Sequence, residues 1–213
     1  MQAFKTAFIE LALEVGALKF GKFELKSGRI SPYFFNSGLF SGGQAAATLG
    51  RCYAQTIVDA GIGFDTIFGP AYKGIPLAAL TAAALADLDG RDVPYCYNRK
   101  EAKAHGEGGA IVGAPVSDKM LIVDDVITAG TAIREAVSII HEAGGQPATV
   151  LLALDRQEKG TGELSAVQEV EQSLGLPVVS IVKLEDLVTH LQNEAGSADL
   201  ADSIVAYRDR YGT

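Results

Sequence analysis

The chain has 213 residues, of which 48% are hydrophobic and 21% charged, enough to build a sizeable buried core. Its formal net charge of −8 argues against a general nucleic-acid-binding protein, because basic contacts to phosphates supply most of that affinity. The first 18 residues lack a signal-peptide core, and the most apolar run, 75–88, is too short for a membrane span. We therefore expect a cytoplasmic protein with no membrane or nucleic-acid partner, whose Cys52 and Cys96 stay reduced.

Hydrophobic spacing predicts an alternation of strands and helices after an N-terminal amphipathic helix within 4–18 and a small β element within 20–36. The predicted helices are 44–60, 75–87, 131–143, 163–174, 183–193 and 198–210, and the predicted strands are 65–69, 93–97, 119–123, 147–154 and 177–182. Such an alternation implies an α/β fold with a parallel sheet covered on both faces, whose ligands bind at the carboxyl ends of the strands.

The most informative segment, residues 121–135, is an apolar strand that ends in two carboxylates and leads through a short loop into a helix. Backbone N–H groups and the positive end of the helix dipole meet in such a loop, which favours binding of a phosphate. Gly130 lets the backbone approach the phosphate closely, and Thr128 and Thr131 add hydroxyl donors.

The two carboxylates, Asp124 and Asp125, would repel a phosphate, so their natural partners are hydroxyl groups or a hard cation such as Mg²⁺. A ligand with a phosphate at one end and sugar hydroxyls nearby satisfies both halves of the segment. The alternative is a strand that ends in solvated Asp residues, with Thr capping the following helix.

A basic segment, residues 98–109, holds two Lys, one Arg, one His and three Gly, and no apolar residue larger than Ala. It predicts a mobile loop or hairpin tip that closes over a polyanion, although a solvated charged loop is the ordinary alternative. A second strand-to-helix turn, within residues 67–76, carries Lys73 and predicts a pyrophosphate site, and an ordinary βα turn would explain it as well.

Residues 122–131 read hydrophobic-hydrophobic-Asp-Asp-x-x-Thr-x-Gly-Thr, which resembles the 5-phosphoribosyl 1-pyrophosphate (PRPP) signature of type I phosphoribosyltransferases. The basic run Arg-Lys-x-x-Lys-x-His-Gly-Glu-Gly at 99–108 and the segments 20–29 and 31–36 sharpen this resemblance. Over essentially its whole length the chain resembles the orotate phosphoribosyltransferase family, close to the bacterial form. It departs from the family at Ala104, where members commonly carry an acidic residue.

The resemblance implies the type I phosphoribosyltransferase fold in a single domain spanning 1–213, with a mainly parallel central sheet flanked by helices and a small N-terminal α/β hood from about residues 1–40. It also implies transfer of the phosphoribosyl group from PRPP to orotate, giving orotidine 5′-monophosphate and pyrophosphate in pyrimidine biosynthesis. Mg²⁺ is the implied cofactor, held through PRPP, and the implied assembly is a homodimer whose basic loop reaches the neighbouring subunit's site.

The site residues implied by the resemblance fall into three overlapping groups. The catalytic group is Lys103, His105, Lys100 and Arg99. The PRPP-binding group is Lys26, Tyr72, Lys73, Arg99, Lys100, Lys103, His105, Asp124, Asp125, Val126, Ile127, Thr128, Ala129, Gly130, Thr131 and Ala132. The orotate-binding group is Lys26, Phe34, Phe35, Thr128 and Arg156. No residue is assigned as a direct metal ligand, and Asp124 and Asp125 are candidates to contact Mg²⁺ through water.

Several of these residues have simpler interpretations. Phe34 and Phe35 also fit a buried strand pair, Lys26 a turn lysine, and His105 a solvated loop histidine. Arg156 also fits a surface arginine paired with Asp155 or Glu158. Two rival functions remain open: transfer to another base such as a purine or uracil, and a regulator on the same fold that binds PRPP and nucleic acid without catalysis.

Overall fold

A two-stranded antiparallel hairpin and a six-stranded sheet organise the part of the chain that the structure, a computed structural model, describes: residues 1–25, 28–100, 110–160 and 162–213. The strands are β1 (Leu18–Glu24), β2 (Ile30–Phe35), β3 (Thr66–Gly69), β4 (Tyr95–Asn98), β5 (Ile111–Gly113), β6 (Met120–Asp124), β7 (Pro147–Asp155) and β8 (Val178–Lys183). The helices are α1 (Ala3–Glu14), α2 (Gly43–Asp59), α3 (Gly74–Asp89), α4 (Thr131–Glu142), α5 (Ala166–Leu174), α6 (Leu184–Gln192) and α7 (Ala198–Tyr211).

The large sheet has the strand order β5-β4-β3-β6-β7-β8, in which only β5 runs antiparallel to its neighbour. From β3 the chain passes through α3 to β4 on one side, and from β6 it passes through α4 to β7 on the other. The direction of winding therefore reverses between β3 and β6. A crevice opens at such a reversal, at the carboxyl ends of the strands, where α/β proteins bind ligands.

The central strands are buried on both faces because almost every one of their residues is apolar. Along β6, Leu121 and Val123 pack into one core cluster, whereas Met120 and Ile122 pack into the cluster on the opposite face. This alternation follows from the two-residue repeat of a strand. The sheet thus has the rigidity needed to hold loops at its edge in fixed positions.

The N-terminal hairpin packs onto the sheet layer through aromatic side chains. Tyr33 of β2 is fully buried and meets Tyr207 of α7 edge-on, with 6.3 Å between ring centroids. Phe35 of β2 lies 6.2 Å from the ring of Phe8 in α1. One buried cluster joins these residues to the sheet, so the hairpin and α1 share a core with the central strands.

The structure confirms the predicted alternation of elements, including the helical N-terminus and the β element that becomes the β1–β2 hairpin. It adds β5, a three-residue edge strand too short to leave a periodic signal in the sequence. Helix α5 starts at Ala166, three residues later than predicted, because Ser165 and Gln168 form a capping box that fixes its first turn. None of the helices in the described part of the chain is both long enough and apolar enough to cross a bilayer.

Candidate active site

The turn after β3 is held close to the sheet by two glycines. A Cβ on Gly69 would lie 2.2 Å from the Gly74 carbonyl oxygen, and one on Gly74 would lie 2.9 Å from the Val123 carbonyl oxygen, so neither position accepts a side chain. The Ala71 N–H donates to Asn98 Oδ1 at 2.8 Å, and the Ala71–Tyr72 peptide is cis. Tyr72 is 71% exposed at this turn.

The loop between β6 and α4 has the form expected of an anion site. Gly130 takes a left-handed conformation, with φ of 70°, immediately before the first turn of α4. Thr128, Ala129 and Thr131 are exposed around it, and the start of the helix brings free backbone N–H groups to the same place. Behind the loop, the Arg134 guanidinium donates to the Ala129 carbonyl oxygen at 2.9 Å.

The carboxylates of Asp124 and Asp125, at the end of β6, are 7% and 5% exposed. The Asp125 N–H donates to Asp124 Oδ1 at 2.9 Å, and the Val126 N–H donates to Asp125 Oδ1 at 2.9 Å. Lys73 Nζ donates to Asp125 Oδ2 at 2.7 Å, and the Ser37 hydroxyl donates to the same oxygen. These bonds tie together the two loops that flank the reversal point of the sheet.

Burial, and after it the neighbouring charge of Asp125, together raise the pKa of Asp124 to about 7, against the opposing effects of a backbone hydrogen bond and the charge of Lys73. Asp124 therefore titrates close to neutral pH. A partner that donates hydrogen bonds or brings positive charge would favour its ionised form.

A cavity of about 700 Å³ opens between the β1–β2 hairpin, the β6–α4 loop and the end of β7. Phe34, Thr128 and Arg156 line it, so three residues predicted to contact orotate are brought together although they are far apart in sequence. Arg29 also lines it and donates to the Lys159 carbonyl oxygen at 2.9 Å, which joins the hairpin to the opposite wall. Ile127 and Ala129 of the predicted phosphate loop lie on the same wall as Thr128.

Phe34 and Phe35 point in opposite directions because they are adjacent residues of a strand. Phe34 is 43% exposed, lines the cavity and packs on Phe23 with 5.6 Å between ring centroids. Phe35 packs into the core against Phe8 and Phe40, so its ring faces away from the cavity. The Phe35 ring therefore does not face the cavity, and a contact between orotate and the Phe35 backbone is the part of this prediction that remains.

Arg156 pairs with Glu158, as one interpretation of the sequence suggested, but not on the surface. The two side chains are 21% and 12% exposed, and Arg156 lines the cavity. Glu158 Oε1 accepts from Arg156 Nη2 at 2.7 Å, from Arg156 Nε at 3.1 Å and from the Tyr33 hydroxyl at 2.7 Å.

The predicted basic segment starts on the antiparallel pair β4–β5. The Arg99 N–H donates to the Ala110 carbonyl oxygen at 2.7 Å, and Lys100 Nζ lies 3.5 Å from Glu135 Oε2 on α4. This places the described start of the segment beside the helix that follows the phosphate loop. Lys103, Ala104 and His105 of this segment, and Lys26 of the hairpin, lie outside the described residues.

The family is shown by comparison with known proteins. A model of the phosphoribosyl transferase domain matches residues 39–172. The orotate phosphoribosyltransferase of Cellvibrio japonicus is 62% identical over 212 residues, which is 100% of this chain and 99% of that protein. The chain belongs to the orotate phosphoribosyltransferase family. The orotate phosphoribosyltransferase of Pseudomonas aeruginosa is 60% identical, with 100% of both chains covered.

The fold of this orotate phosphoribosyltransferase family member agrees with that of a solved relative. The crystal structure of the Francisella tularensis enzyme has a TM-score of 0.88 and 42% identity, covering 97% of this chain and 99% of that chain. The type I phosphoribosyltransferase fold, with its mainly parallel sheet flanked by helices, is therefore confirmed.

Two buried carboxylates of this orotate phosphoribosyltransferase family member have the chemistry to contact a hard cation. Among the described residues, no group of three or more His, Cys, Asp or Glu side chains is arranged to hold a metal. Asp124 and Asp125 form a pair of buried carboxylates at the reversal point, and one of them is already paired with Lys73. Such a pair fits Mg²⁺ contacted through water, with the ligand's oxygens completing its coordination.

Ser37 and Gln157 were not identified from the sequence. Ser37 reaches Asp125 across 88 positions of sequence, and no local pattern marks it. Gln157 has a positive φ of 49°, which is rare outside glycine and often accompanies functional sites. Only its position between Arg156 and Glu158 could have drawn attention to it.

Proposed function

We propose how the residues of this chain carry out the reaction of the family. The protein transfers the 5-phosphoribosyl group from PRPP to orotate, giving orotidine 5′-monophosphate and pyrophosphate in pyrimidine biosynthesis. The observation that carries this function is the 62% identity to a named orotate phosphoribosyltransferase over the full length of the chain. The cavity lined by both Thr128 and Arg156 supports the proposal.

The 5′-phosphate of PRPP binds at the β6–α4 loop. The N–H groups and hydroxyls of the loop and of the first turn of α4 point toward it, and the helix dipole favours its negative charge. Gly130 supports this role because its left-handed conformation, which other residues rarely adopt, shapes the loop immediately before the first turn of α4. The residues that form this site are Val126, Ile127, Thr128, Ala129, Gly130, Thr131 and Ala132.

The ribose hydroxyls bind the carboxylates of Asp124 and Asp125, which lie at the end of β6 just before the phosphate loop. A carboxylate accepts hydrogen bonds strongly, and the buried position of both residues keeps water from competing. Binding of two hydroxyl donors also favours the ionised form of Asp124, whose pKa of about 7 leaves it part protonated in the free protein.

The pyrophosphate group lies over the β3–α3 turn and is surrounded by Tyr72, Lys73, Arg99, Lys100, Lys103 and His105. Lys73 pairs with Asp125, just before the β6–α4 loop, and Lys100 lies near Glu135, just after it, which supports this arrangement. When Mg²⁺ is bound through PRPP, it neutralises charge on the departing pyrophosphate. The chain's own cations add to this neutralisation by donating hydrogen bonds to the same oxygens.

Orotate lies in the cavity between Phe34 and the β6–α4 loop. The exposed ring of Phe34 offers a face on which the planar base stacks, and the Arg156 guanidinium offers two parallel N–H groups to its carboxylate. Thr128 lines both this cavity and the phosphate loop, so it contacts both substrates. Lys26 and the backbone of Phe35 complete the proposed orotate contacts.

The reaction follows from this placement. The orotate ring nitrogen attacks C1 of the ribose as the bond to pyrophosphate breaks, so positive charge develops on the ribose ring and negative charge on the leaving group. Because orotate is readily deprotonated, the protein needs no strong base, and it acts by positioning and electrostatic stabilisation. Lys103, His105, Lys100 and Arg99 stabilise the leaving group.

We infer that the protein is a cytoplasmic homodimer in which the basic segment 99–108 reaches the partner's site. The resemblance to the family supports the dimer, and the two free buried cysteines suit a reducing compartment. We also infer a single domain, with the hood formed by about residues 1–40, because one core cluster includes both Phe8 and Leu121. Sedimentation of the purified protein, with and without PRPP, tests the dimer.

The deciding experiment follows the absorbance of orotate in the purified protein with PRPP and Mg²⁺, while adenine, guanine, hypoxanthine and uracil are run in parallel. Consumption of orotate in strong preference to the other bases, abolished by EDTA and restored by Mg²⁺, is expected. Consumption of another base in preference to orotate would support the rival base specificity. PRPP binding without consumption of any base would support the regulator, and filter binding with RNA or DNA would then test it.

A further inference from the structure

The Arg156 guanidinium has two edges that can each bind a carboxylate, and only one of them is occupied by protein among the described residues. One edge presents Nε–H and one N–H of Nη2, and the other presents one N–H each of Nη1 and Nη2. A single oxygen of Glu158 accepts from both donors of the first edge, at 3.1 and 2.7 Å. The described residues accept no hydrogen bond from Nη1, and Arg156 lines the cavity.

Glu158 is itself fixed on several sides. Its Oε1 also accepts from the Tyr33 hydroxyl at 2.7 Å, and the Arg156 guanidinium lies over the Tyr33 ring at 5.5 Å. Its backbone forms an antiparallel bridge with Gly212, and the Gln157 carbonyl accepts from the Thr213 N–H at 3.1 Å. The carboxylate is therefore part of a buried, ordered network rather than a mobile surface group.

The left-handed conformation of Gln157 belongs to the same arrangement. Its N–H donates to Asp155 Oδ1 at 2.9 Å, and its side-chain oxygen accepts from the Glu185 N–H at 3.0 Å. A non-glycine residue with φ of 49° persists only where its surroundings hold it. These contacts bend the chain between Arg156 and Glu158, so that the two side chains meet at the rim of the cavity.

We propose that Glu158 is a positioning residue that sets the preference for a carboxylated base, by holding Arg156 so that its free edge faces the substrate carboxylate. This inference rests on the proposed function, because it takes Arg156 to bind the orotate carboxylate. Glu158 acts through the position of its oxygen and not through its charge, since a second carboxylate on the same guanidinium repels the substrate. Position and charge therefore predict opposite effects of two substitutions.

Glu158→Gln keeps an acceptor oxygen at the same reach and removes the charge, whereas Glu158→Asp keeps the charge and withdraws the oxygen by one methylene. Both variants fill nearly the same space, so neither leaves a large void behind Arg156. For Glu158→Asp, we expect the KM for orotate to rise about tenfold with an unchanged KM for PRPP, since hydrogen bonds to charged groups are strong. For Glu158→Gln, we expect a KM for orotate within about threefold of the unaltered protein.

The second readout is the ratio of kcat/KM for orotate to that for uracil, which lacks the carboxylate. Misplacing Arg156 weakens only the carboxylate contact, so Glu158→Asp lowers this ratio about tenfold, whereas a general loss of stability lowers both values together. The matched controls are Glu163→Asp and Glu163→Gln. Glu163 is an exposed carboxylate in the same connection, 2.6 Å from Lys159, and its substitution should leave both values unchanged.

A third readout tests whether Glu158 acts through Arg156. In an Arg156→Ala background, Glu158→Asp should cause no further rise in the KM for orotate, because the group that it positions is gone. The proposal is overturned if Glu158→Asp leaves the orotate KM and the uracil ratio unchanged, if Glu158→Gln does the greater damage, or if the effect persists without Arg156. Failure of the unaltered protein to consume orotate would instead overturn the proposed function.

Discussion

Lys73 Nζ lies 2.7 Å from Asp125 Oδ2, so the cation that we assign to pyrophosphate is held by a carboxylate that we assign to the ribose. The Lys73 side chain is 60% exposed whereas Asp125 is buried, so the lysine has more room to move than the aspartate. In the proposed arrangement, PRPP brings a partner for each, hydroxyls for Asp125 and phosphate oxygens for Lys73. Binding therefore exchanges one ion pair for two sets of contacts.

Removing the cation while keeping the shape of its stem should weaken PRPP binding specifically. For Lys73→Met we expect the KM for PRPP to rise about 10- to 100-fold with little change for orotate, because charge-assisted hydrogen bonds to the pyrophosphate are lost. Steady-state kinetics with each substrate varied in turn measure this split. Lys183→Met, which removes a lysine 3.9 Å from Glu185 and away from the cavity lining, is the control. A matching rise in the control would contradict the assignment.

Asp124 should make the stability of the protein depend on pH. Its pKa rises from 3.8 unfolded to about 7 folded, so the folded state holds the proton more tightly between those values. The free energy of unfolding therefore falls as pH rises from about 4 to about 7, and levels off above. Asn does not titrate, so Asp124→Asn does not lose stability in this way as pH rises. The melting temperature of the variant minus that of the unaltered protein should therefore rise from pH 5 to pH 8. Thermal melts across that range measure this difference. If melting temperature changes with pH in the same way for both proteins, the assignment of the pH dependence to Asp124 is wrong.

The elements and the form of the β6–α4 loop could be predicted from the sequence because their signals are local. An apolar strand, two carboxylates and Gly130 before a helix lie within ten residues and depend on backbone geometry that the residue types themselves require. Lys73 was predicted on the same ground. The contact between Lys73 and Asp125 could not be predicted, because it requires β3 and β6 to be neighbours in the sheet.

The parts of the site that could not be predicted depend on contacts between segments that are distant in sequence. Ser37 reaches Asp125 from the N-terminal region, and Tyr33 reaches Glu158 from a strand 125 positions away. The pairing of Arg156 with Glu158 was considered only as a surface pair, because burial at that position depends on how the hairpin packs. The opposite directions of Phe34 and Phe35 required the strand's position over the cavity to be known.

The β6–α4 loop should not accept a side chain at Gly130. A Cβ there would lie 2.8 Å from Val170 and 3.1 Å from the Arg134 guanidinium, in addition to the penalty for a left-handed φ of 70°. We expect Gly130→Ala to destabilise the protein by about 2 kcal/mol or more and to raise the KM for PRPP. Gly61→Ala is the matched control, because Gly61 has φ of 62° and a methyl group added there would meet nothing within 4 Å. Denaturant unfolding should show a smaller loss of free energy of unfolding in Gly61→Ala than in Gly130→Ala. Equal losses in the two variants would show that the clash at Gly130 does not contribute.

Lys103 should matter for turnover more than for binding of orotate. Its assignment comes from the resemblance to the family's basic loop, and the proposed contact with pyrophosphate would strengthen as negative charge develops on the leaving group. For Lys103→Ala we expect kcat to fall by about 100-fold or more and the KM for orotate to change little. Lys119→Ala, which removes an exposed lysine just before β6, is the control. Near-normal turnover in Lys103→Ala would remove this residue from the catalytic group.

The neighbours Phe34 and Phe35 offer a paired test of the orotate site, because one ring lines the cavity and the other packs in the core. For Phe34→Leu we expect the KM for orotate to rise several-fold, about 1 kcal/mol of lost stacking, with an unchanged melting temperature. For Phe35→Leu we expect the reverse, a loss of about 1 kcal/mol of stability from poorer packing against Phe8 and Phe40, with kinetics close to normal. Thermal melts and steady-state kinetics with orotate are measured on both variants, so stability and orotate binding are compared for each ring. A higher KM for orotate in Phe35→Leu alone would place the base on the other side of β2.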